Sequence, residues 1–284
     1  MDRGKFKGVL LISDYDDTLY GSSLHISQED RSAILSFMEQ GGLFTVATGR
    51  ARSTFSPQVE KEDIPLNAPV ILSNGATILD CRTEELVRRT YLPDRVIEDM
   101  AQLCRVFPEL GFEAYHQNEI FVHNPNFVTH MHMKRVGMDY TILPIPQLPT
   151  PLTKIILEQD APMLQQVQTY LLERAGESYE VIFSNRYLLE LTAKGSHKGG
   201  SALWLADHLG ISREHLYCVG DNQNDLPMLE VARIGFAPAN CNHLVKEWGA
   251  RIVNSCDDGC VASVIRILDE LYETRPSCGA KGAL

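Results

Sequence analysis

The chain alternates short apolar runs with longer stretches of helical spacing. Val9-Leu10-Leu11-Ile12 is an unbroken apolar run of strand length, as expected of a strand buried on both faces. Ser27-Gln28-Glu29-Asp30 reads as a capping-box start, followed by Ile34, Leu35, Phe37 and Met38 at helical spacing and by Gly41-Gly42 as a stop. Residues 44–47 and 69–72 read as the second and third strands. The pattern pauses near Glu85 and resumes with a helix over residues 200–209 and a strand at Leu216–Val219. Two strand-like segments follow at 232–237 and 250–253, then a closing helix with Val261, Val264, Ile265 and Leu268 on its apolar face. Alternation of this kind predicts right-handed βαβ units on a parallel sheet.

The interval from Leu86 to Leu191 is domain-sized and too long for a structureless loop. Val96, Met100, Leu103 and Phe107 form a helical stripe, residues 120–122, 154–157, 180–183 and 187–191 read as strands, and residues 161–174 as a helix. The expected organisation is α/β: a Rossmann-like parallel-sheet core from residues 1–85 plus 192–284, carrying an inserted α+β domain at 86–191. Residues 274–282 read as a frayed tail.

Composition narrows the function. With 284 residues, 44% of them hydrophobic and 22% charged, the chain suits an ordinary globular protein of two domains. A formal charge of −11 argues against general binding to nucleic acid or to anionic membranes. Seven cysteines without regular spacing do not form a disulfide framework, and Cys256-x-x-x-Cys260 lacks the second pair of a zinc site. The apolar run after Met1-Asp2-Arg3-Gly4-Lys5 is too short for a signal peptide or a membrane span. A reducing, cytoplasmic setting is expected.

Five aspartates carry the candidate chemistry. Asp14-Tyr15-Asp16-Asp17-Thr18 follows the first strand, and Gly220-Asp221-Asn222-Gln223-Asn224-Asp225 follows Leu216–Val219. Parallel sheets place ligands outside the carboxyl ends of their strands, so the two clusters would share a crevice and repel each other unless a cation lay between them. Oxygen ligands with no neighbouring His or Cys cluster favour magnesium over zinc.

These residues also carry a resemblance. Asp-x-Asp-x-Thr at residues 14–18 resembles the first motif of the haloacid dehalogenase-like (HAD) phosphohydrolases. Phe44-Thr45-Val46-Ala47-Thr48-Gly49-Arg50 is similar to their second motif, Lys198 in Gly195-Ser196-His197-Lys198-Gly199 to their third, and Gly220-Asp221-x-x-Asn224-Asp225 to their fourth. Ser73-Asn74-Gly75-Ala76 and Ala237-Pro238-Ala239-Asn240 resemble two landmarks of the Cof-type branch, subfamily IIB. The family implies a HAD core with a type-2 (C2B-like) cap inserted after the third core strand, and a Mg²⁺-dependent phosphatase acting on small phosphorylated metabolites such as sugar phosphates or phosphorylated cofactors. A phosphomutase of similar fold and a non-catalytic sugar-phosphate sensor are the alternatives. Oligomeric state is left open.

By that resemblance Asp14 is the nucleophile that becomes an aspartyl-phosphate, and Asp16 the general acid and base. Asp14, Asp221, Asp225 and the backbone carbonyl of Asp16 hold Mg²⁺. Thr48 and Lys198 bind the phosphoryl group, with Asn74, Gly75 and Asn224 around it and Thr18 supporting the loop. Arg50 reads as either a salt bridge within the core or a substrate contact, the structural role being favoured. In the cap, His116, Asn118, Lys154 and Arg186 are candidates for contact with the leaving group, although each also reads as an ordinary surface or packing residue. His116, His123, His130 and His132 are not expected to bind metal. Asp17 stands where the family usually has Gly, and Pro238-Ala239 where Met-Gly is common.

Overall fold

The computed structural model describes residues 4–273, so the expected tail at 274–282 lies outside the described residues. β1 (Leu10–Ser13) leads through α1 (Gln28–Glu39) to β2 (Leu43–Val46), then through α2 (Arg52–Glu62) to β3 (Val70–Leu72), which turns back as β4 (Thr77–Asp80) and β5 (Glu85–Arg89). The inserted stretch contains α3 (Val96–Val106), β6 (Gly111–His116), β7 (Glu119–His123), α4 (Phe127–Val136), β8 (Thr141–Ile142), β9 (Lys154–Glu158), α5 (Ala161–Ala175), β10 (Tyr179–Asn185) and β11 (Leu188–Ala193). The chain then returns through α6 (Lys198–His208), β12 (Leu216–Val219), α7 (Leu226–Val231), β13 (Ile234–Pro238), α8 (His243–Trp248), β14 (Arg251–Val253) and α9 (Cys260–Glu273). Among the described residues no helix is long and apolar enough to cross a membrane.

The core sheet is parallel throughout, in the order β14-β13-β12-β1-β2. Its inner strands β1 and β12 read as apolar runs because both faces are covered. Leu11, Phe44, Val46, Tyr217, Val219 and Phe236 pack on one side with Ile34 and Phe37 of α1 and Val261, Val264 and Leu268 of α9. Leu10, Ile12, Leu216, Cys218 and Ala237 pack on the other with Ala202 and Leu205 of α6, Met228 and Leu229 of α7 and Val245 of α8. Side chains therefore alternate between two buried layers, as period-two geometry requires.

Two expectations need correction. The segment at 69–72 does not join the parallel sheet as a full third strand. β3 forms a separate antiparallel sheet with β4 and β5 and meets the β2 edge through a single parallel bridge between Ala47 and Ile71. Pro69 has no N–H to donate, and its carbonyl is taken instead by the Thr45 hydroxyl at 2.7 Å, so the ladder does not propagate. This small sheet runs to Arg89. Leu35, counted in the buried stripe of α1, is 45% exposed, whereas Ile34 and Phe37 are fully buried.

The inserted stretch builds a six-stranded sheet, β10-β11-β9-β6-β7-β8, antiparallel except for the β7–β8 pair. One face is apolar: Phe112, Ala114, Ile155, Leu157, Leu189 and Leu191 pack against α3 and α5. The alternate positions, including Glu113, Tyr115, Lys154, Glu158 and Glu190, are buried on the opposite face. There α4 contributes Met133 to a small cluster with Tyr115, Val122, Ile156 and Leu188, which Ala51 of the core joins.

The two neighbouring residues of α1 make a direct test. Ile34→Ala is expected to cost about 2–5 kcal/mol of unfolding free energy and Leu35→Ala less than about 0.5 kcal/mol. Urea denaturation of both variants checks the assignment of the buried face.

Candidate active site

The register of the parallel sheet decides which loops meet. Ser13 lies level with Val219 on β12 and with Val46 on β2. The Asp14 N–H donates to the Val219 carbonyl and the Ala47 N–H to the Ser13 carbonyl, each at 2.8 Å, which carries the alignment one residue past the strand ends. Asp14, Thr48 and Asp221 therefore converge at the carboxyl edge, and all three are buried.

Lys198, the first residue of α6, reaches between two carboxylates. Its Nζ lies 2.5 Å from Asp14 Oδ1 and 2.5 Å from Asp225 Oδ1. The second oxygen of Asp225 accepts from the backbone N–H groups of Asp221 and Asn222, each at 3.0 Å. Asp221 accepts from the Thr18 hydroxyl at 3.1 Å. Asp14, Asp221 and Asp225 each present a carboxylate oxygen within 4.8 Å of the other two.

Three carboxylates facing one ammonium are under-compensated in a buried site. Burial raises the Asp14 carboxyl well above its ordinary range, reinforced by Asp225, while Lys198 pulls it down. Asp221 is pushed up to about 7 by burial and then by Asp225. Burial lowers the Lys198 ammonium, but Asp14 and Asp225 outweigh that effect and hold it above its ordinary value. A compact set of oxygen donors short of positive charge fits a hard divalent cation.

Asp16 is held from the other side. Arg50 donates to both of its oxygens, Nε at 2.8 Å and Nη2 at 2.6 Å, and the pair is about a quarter exposed. The Thr48 hydroxyl accepts from the Arg50 N–H at 3.1 Å, so the second-motif loop and the general-acid candidate share one local network. Asp17 has φ 61°, in the left-handed region that glycine occupies most readily and Asp tolerates better than most residues. Asp17 thus takes a backbone conformation open to glycine, and its carbonyl accepts from Asn240 Nδ2 at 2.9 Å.

Asn74 and Gly75 do not line the cavity beside this cluster. Asn74 accepts from Asn224 Nδ2 at 3.1 Å, and the Gly75 carbonyl accepts from the Ser201 hydroxyl at 2.8 Å. They brace the site from behind, while Asn224 reaches the cavity wall.

The cavity, of about 200 Å³, lies between the core edge and the polar face of the inserted sheet. Asp14, Asp16, Asp17, Thr48, Arg50 and Asp221 line the core side. Of the four cap candidates only Lys154 lines it. Lys154 is buried, its Nζ donating to the Gly49 carbonyl at 2.8 Å, lying 3.5 Å from Glu190 Oε2 and sitting 4.4 Å from the centre of the Tyr115 ring. His116 does not reach the cavity; its Nδ1 lies 2.9 Å from the Pro151 carbonyl. Asn118 is exposed in the β6–β7 turn, and Arg186, in the β10–β11 turn, is engaged with Tyr187. The wall is made instead by Tyr115, His132, Arg135, Asn185 and Glu190, which the sequence had not singled out for this purpose. The available signal was the placement of Glu190 and Lys154 at alternate positions of otherwise apolar strands.

Residues 11–265 match the haloacid dehalogenase-like hydrolases, and the chain belongs to that family. Two curated relatives, the 5-amino-6-(5-phospho-D-ribitylamino)uracil phosphatases YwtE and YcsE of Bacillus subtilis, are 28% and 26% identical. The matches cover 89% and 90% of this chain and 95% and 94% of theirs. A haloacid dehalogenase-like hydrolase of Bacteroides thetaiotaomicron superposes with a TM-score of 0.77 at 26% identity, over 92% of this chain and 99% of its own. A subclass IIB sugar phosphatase shares the fold with a TM-score of 0.81 at 19% identity, over 92% and 99% of the two chains. Family and relatives together make this chain an enzyme of the phosphatase type.

Removing the central ammonium tests the electrostatics. Lys198→Met leaves Asp14 and Asp225 buried without their partner and is expected to cost about 3–5 kcal/mol in the presence of chelator. Urea denaturation should show a smaller loss with saturating Mg²⁺, because a cation at the carboxylates replaces part of the missing charge.

Proposed function

We propose that this enzyme is a Mg²⁺-dependent phosphatase that hydrolyses small phosphomonoesters through an aspartyl-phosphate on Asp14. The observation that carries the proposal is the convergence of Asp14, Asp221 and Asp225 on one point, with Lys198 bridging Asp14 and Asp225. Residues 86–191 form the cap in this reading, and the cavity beneath it is the substrate site.

Asp14 attacks phosphorus and displaces the alcohol oxygen of the ester, while Asp16 gives that oxygen a proton. Water then attacks the phosphorus of the acyl phosphate, the now ionised Asp16 takes its proton, and inorganic phosphate leaves with Asp14 restored. Lys198 holds Asp14 in place and offsets negative charge as it develops, and the Thr48 hydroxyl is placed to donate to a phosphoryl oxygen. Arg50 holds both oxygens of Asp16 in this structure, so one prong must be released before Asp16 can carry the proton it gives. Asp14, Asp221, Asp225 and the carbonyl of Asp16 would hold Mg²⁺, which would supply the charge that lets an anionic ester approach an anionic nucleophile.

The wall offers donors and acceptors from Tyr115, His132, Arg135, Lys154, Asn185 and Glu190 beside the apolar side chains of Val136, Ile156 and Leu188, which suits a leaving group that carries hydroxyls on a carbon chain. The names of the Bacillus subtilis relatives point the same way, toward a phosphorylated ribityl chain. Sugar phosphates and ribityl phosphates are therefore the proposed substrate class.

Phosphate release from sugar phosphates, the phosphoribitylamino uracil, pyridoxal phosphate and nucleotides, with Mg²⁺ or with chelator, tests this. Chelator and Asp14→Asn should each abolish turnover, and Asp16→Asn should lower kcat by about 10²–10⁴-fold. Turnover that survives in Asp14→Asn overturns the assignment of the nucleophile. A second measurement addresses the cap: Lys154→Ala should raise KM for the preferred ester more than for a generic aryl phosphate.

A further inference from the structure

The polar face of the cap sheet holds a second cluster, separate from the aspartates. Glu113 on β6, His132 on α4 and Glu158 on β9 each bring one ligand atom within 4.8 Å of the other two. Strand pairing explains the juxtaposition. Glu113 is level with Ile156, and Glu158 lies two residues further along the same face of β9, the diagonal relation that brings long side chains together. α4 then lays His132 over the pair.

The two carboxylates are arranged alike. Glu113 accepts from the Tyr115 hydroxyl at 2.7 Å through Oε2 and faces His132 Nδ1 at 2.8 Å through Oε1. Glu158 accepts from the Thr129 hydroxyl at 2.5 Å through Oε2. Its Oε1 is buried with no donor upon it among the described residues, lies 3.6 Å from the same Nδ1, and belongs to a carboxyl that burial and then Glu113 push up to about 9. Each carboxylate is thus fixed by a hydroxyl on one oxygen and presents the other to a common centre. Both glutamates are fully buried, where an unpartnered carboxylate oxygen is costly. Lys154, on the same face, is committed to Gly49 and Glu190.

We propose that Glu113, His132 and Glu158 form a binding site for a divalent transition-metal ion such as Zn²⁺, distinct from the aspartate cluster. One imidazole nitrogen and two carboxylate oxygens are a donor set suited to zinc and its neighbours rather than to magnesium. The separations of 2.8 and 3.6 Å bracket the edge of about 3.3 Å expected between donors of a tetrahedral zinc ion. The Tyr115 and Thr129 hydroxyls already provide the outer contacts that orient such ligands. The ion fastens α4 to β6 and β9. Because His132 and Arg135 of α4 line the cavity, it fixes the shape of the wall that meets the leaving group.

The full-length protein is stripped with chelator, returned to excess Mg²⁺ to occupy the aspartates, and titrated with Zn²⁺ by calorimetry. Wild type should bind one equivalent with micromolar affinity or better, and Asp225→Asn should retain that binding. His132→Ala and Glu158→Gln should weaken it by at least about 100-fold, with far-ultraviolet circular dichroism unchanged. Glu158→Gln keeps an acceptor for Thr129 and so guards against loss of fold in the histidine variant. X-ray absorption of zinc-loaded wild type should show an imidazole in the metal shell, which the aspartate cluster does not contain. Absence of zinc uptake by wild type, uptake unaffected by either variant, or a shell of oxygen alone would overturn the site. The last two results would assign the ion elsewhere, and the first would leave a carboxyl pair sharing a proton.

Discussion

The contact of Lys198 with Asp14 and Asp225 is the interaction on which the carboxyl edge of the core sheet depends. Buried carboxylates this close repel strongly and are tolerated where a cation is interposed or a proton is retained. The ammonium arrives from the first residue of α6, so the position of that helix is an electrostatic requirement as well as a packing one. Close approach of backbones makes it possible. A Cβ on Gly199 would stand 2.1 Å from the Pro227 carbonyl oxygen, and one on Gly220 would meet the Asp225 carboxyl carbon at 2.4 Å. Both positions must therefore be glycine for α6, α7 and the fourth-motif turn to close around the charge.

The inserted domain divides its labour between the faces of one sheet. The face toward α3 and α5 is a conventional apolar core that provides stability. The other face buries Glu113, Lys154, Glu158 and Glu190, each of which must find a partner or remain an electrostatic cost. Lys154 and Glu190 of this set line the cavity, where on the proposed function charged groups on a rigid sheet would discriminate among polar leaving groups. Strand alternation lets both jobs share the same strands.

Much of the core was legible in the residues. Its inner strands β1 and β12 are apolar runs covered on both sides, and Asp14, Asp221 and Asp225 follow directly where those runs stop. The cap was harder to read. β6 is interrupted by Glu113 and gives no clean period, and in the core the same holds for α2, which carries Pro57 and few apolar residues. His116, Asn118 and Arg186 have side chains suited to recognition but sit at hairpin ends outside the cavity wall. His132 and Glu190 matter through what faces them across strands and from a helix. Linear spacing does not carry that information, because diagonal strand pairs join residues dozens of positions apart.

The hydrogen bond from Lys154 to the Gly49 carbonyl ties the inserted domain to the core segment that carries Thr48. On the proposed function, any separation of the two domains would break this bond and free that segment. Admission of an ester and ordering of the backbone beside Thr48 would then be a single event.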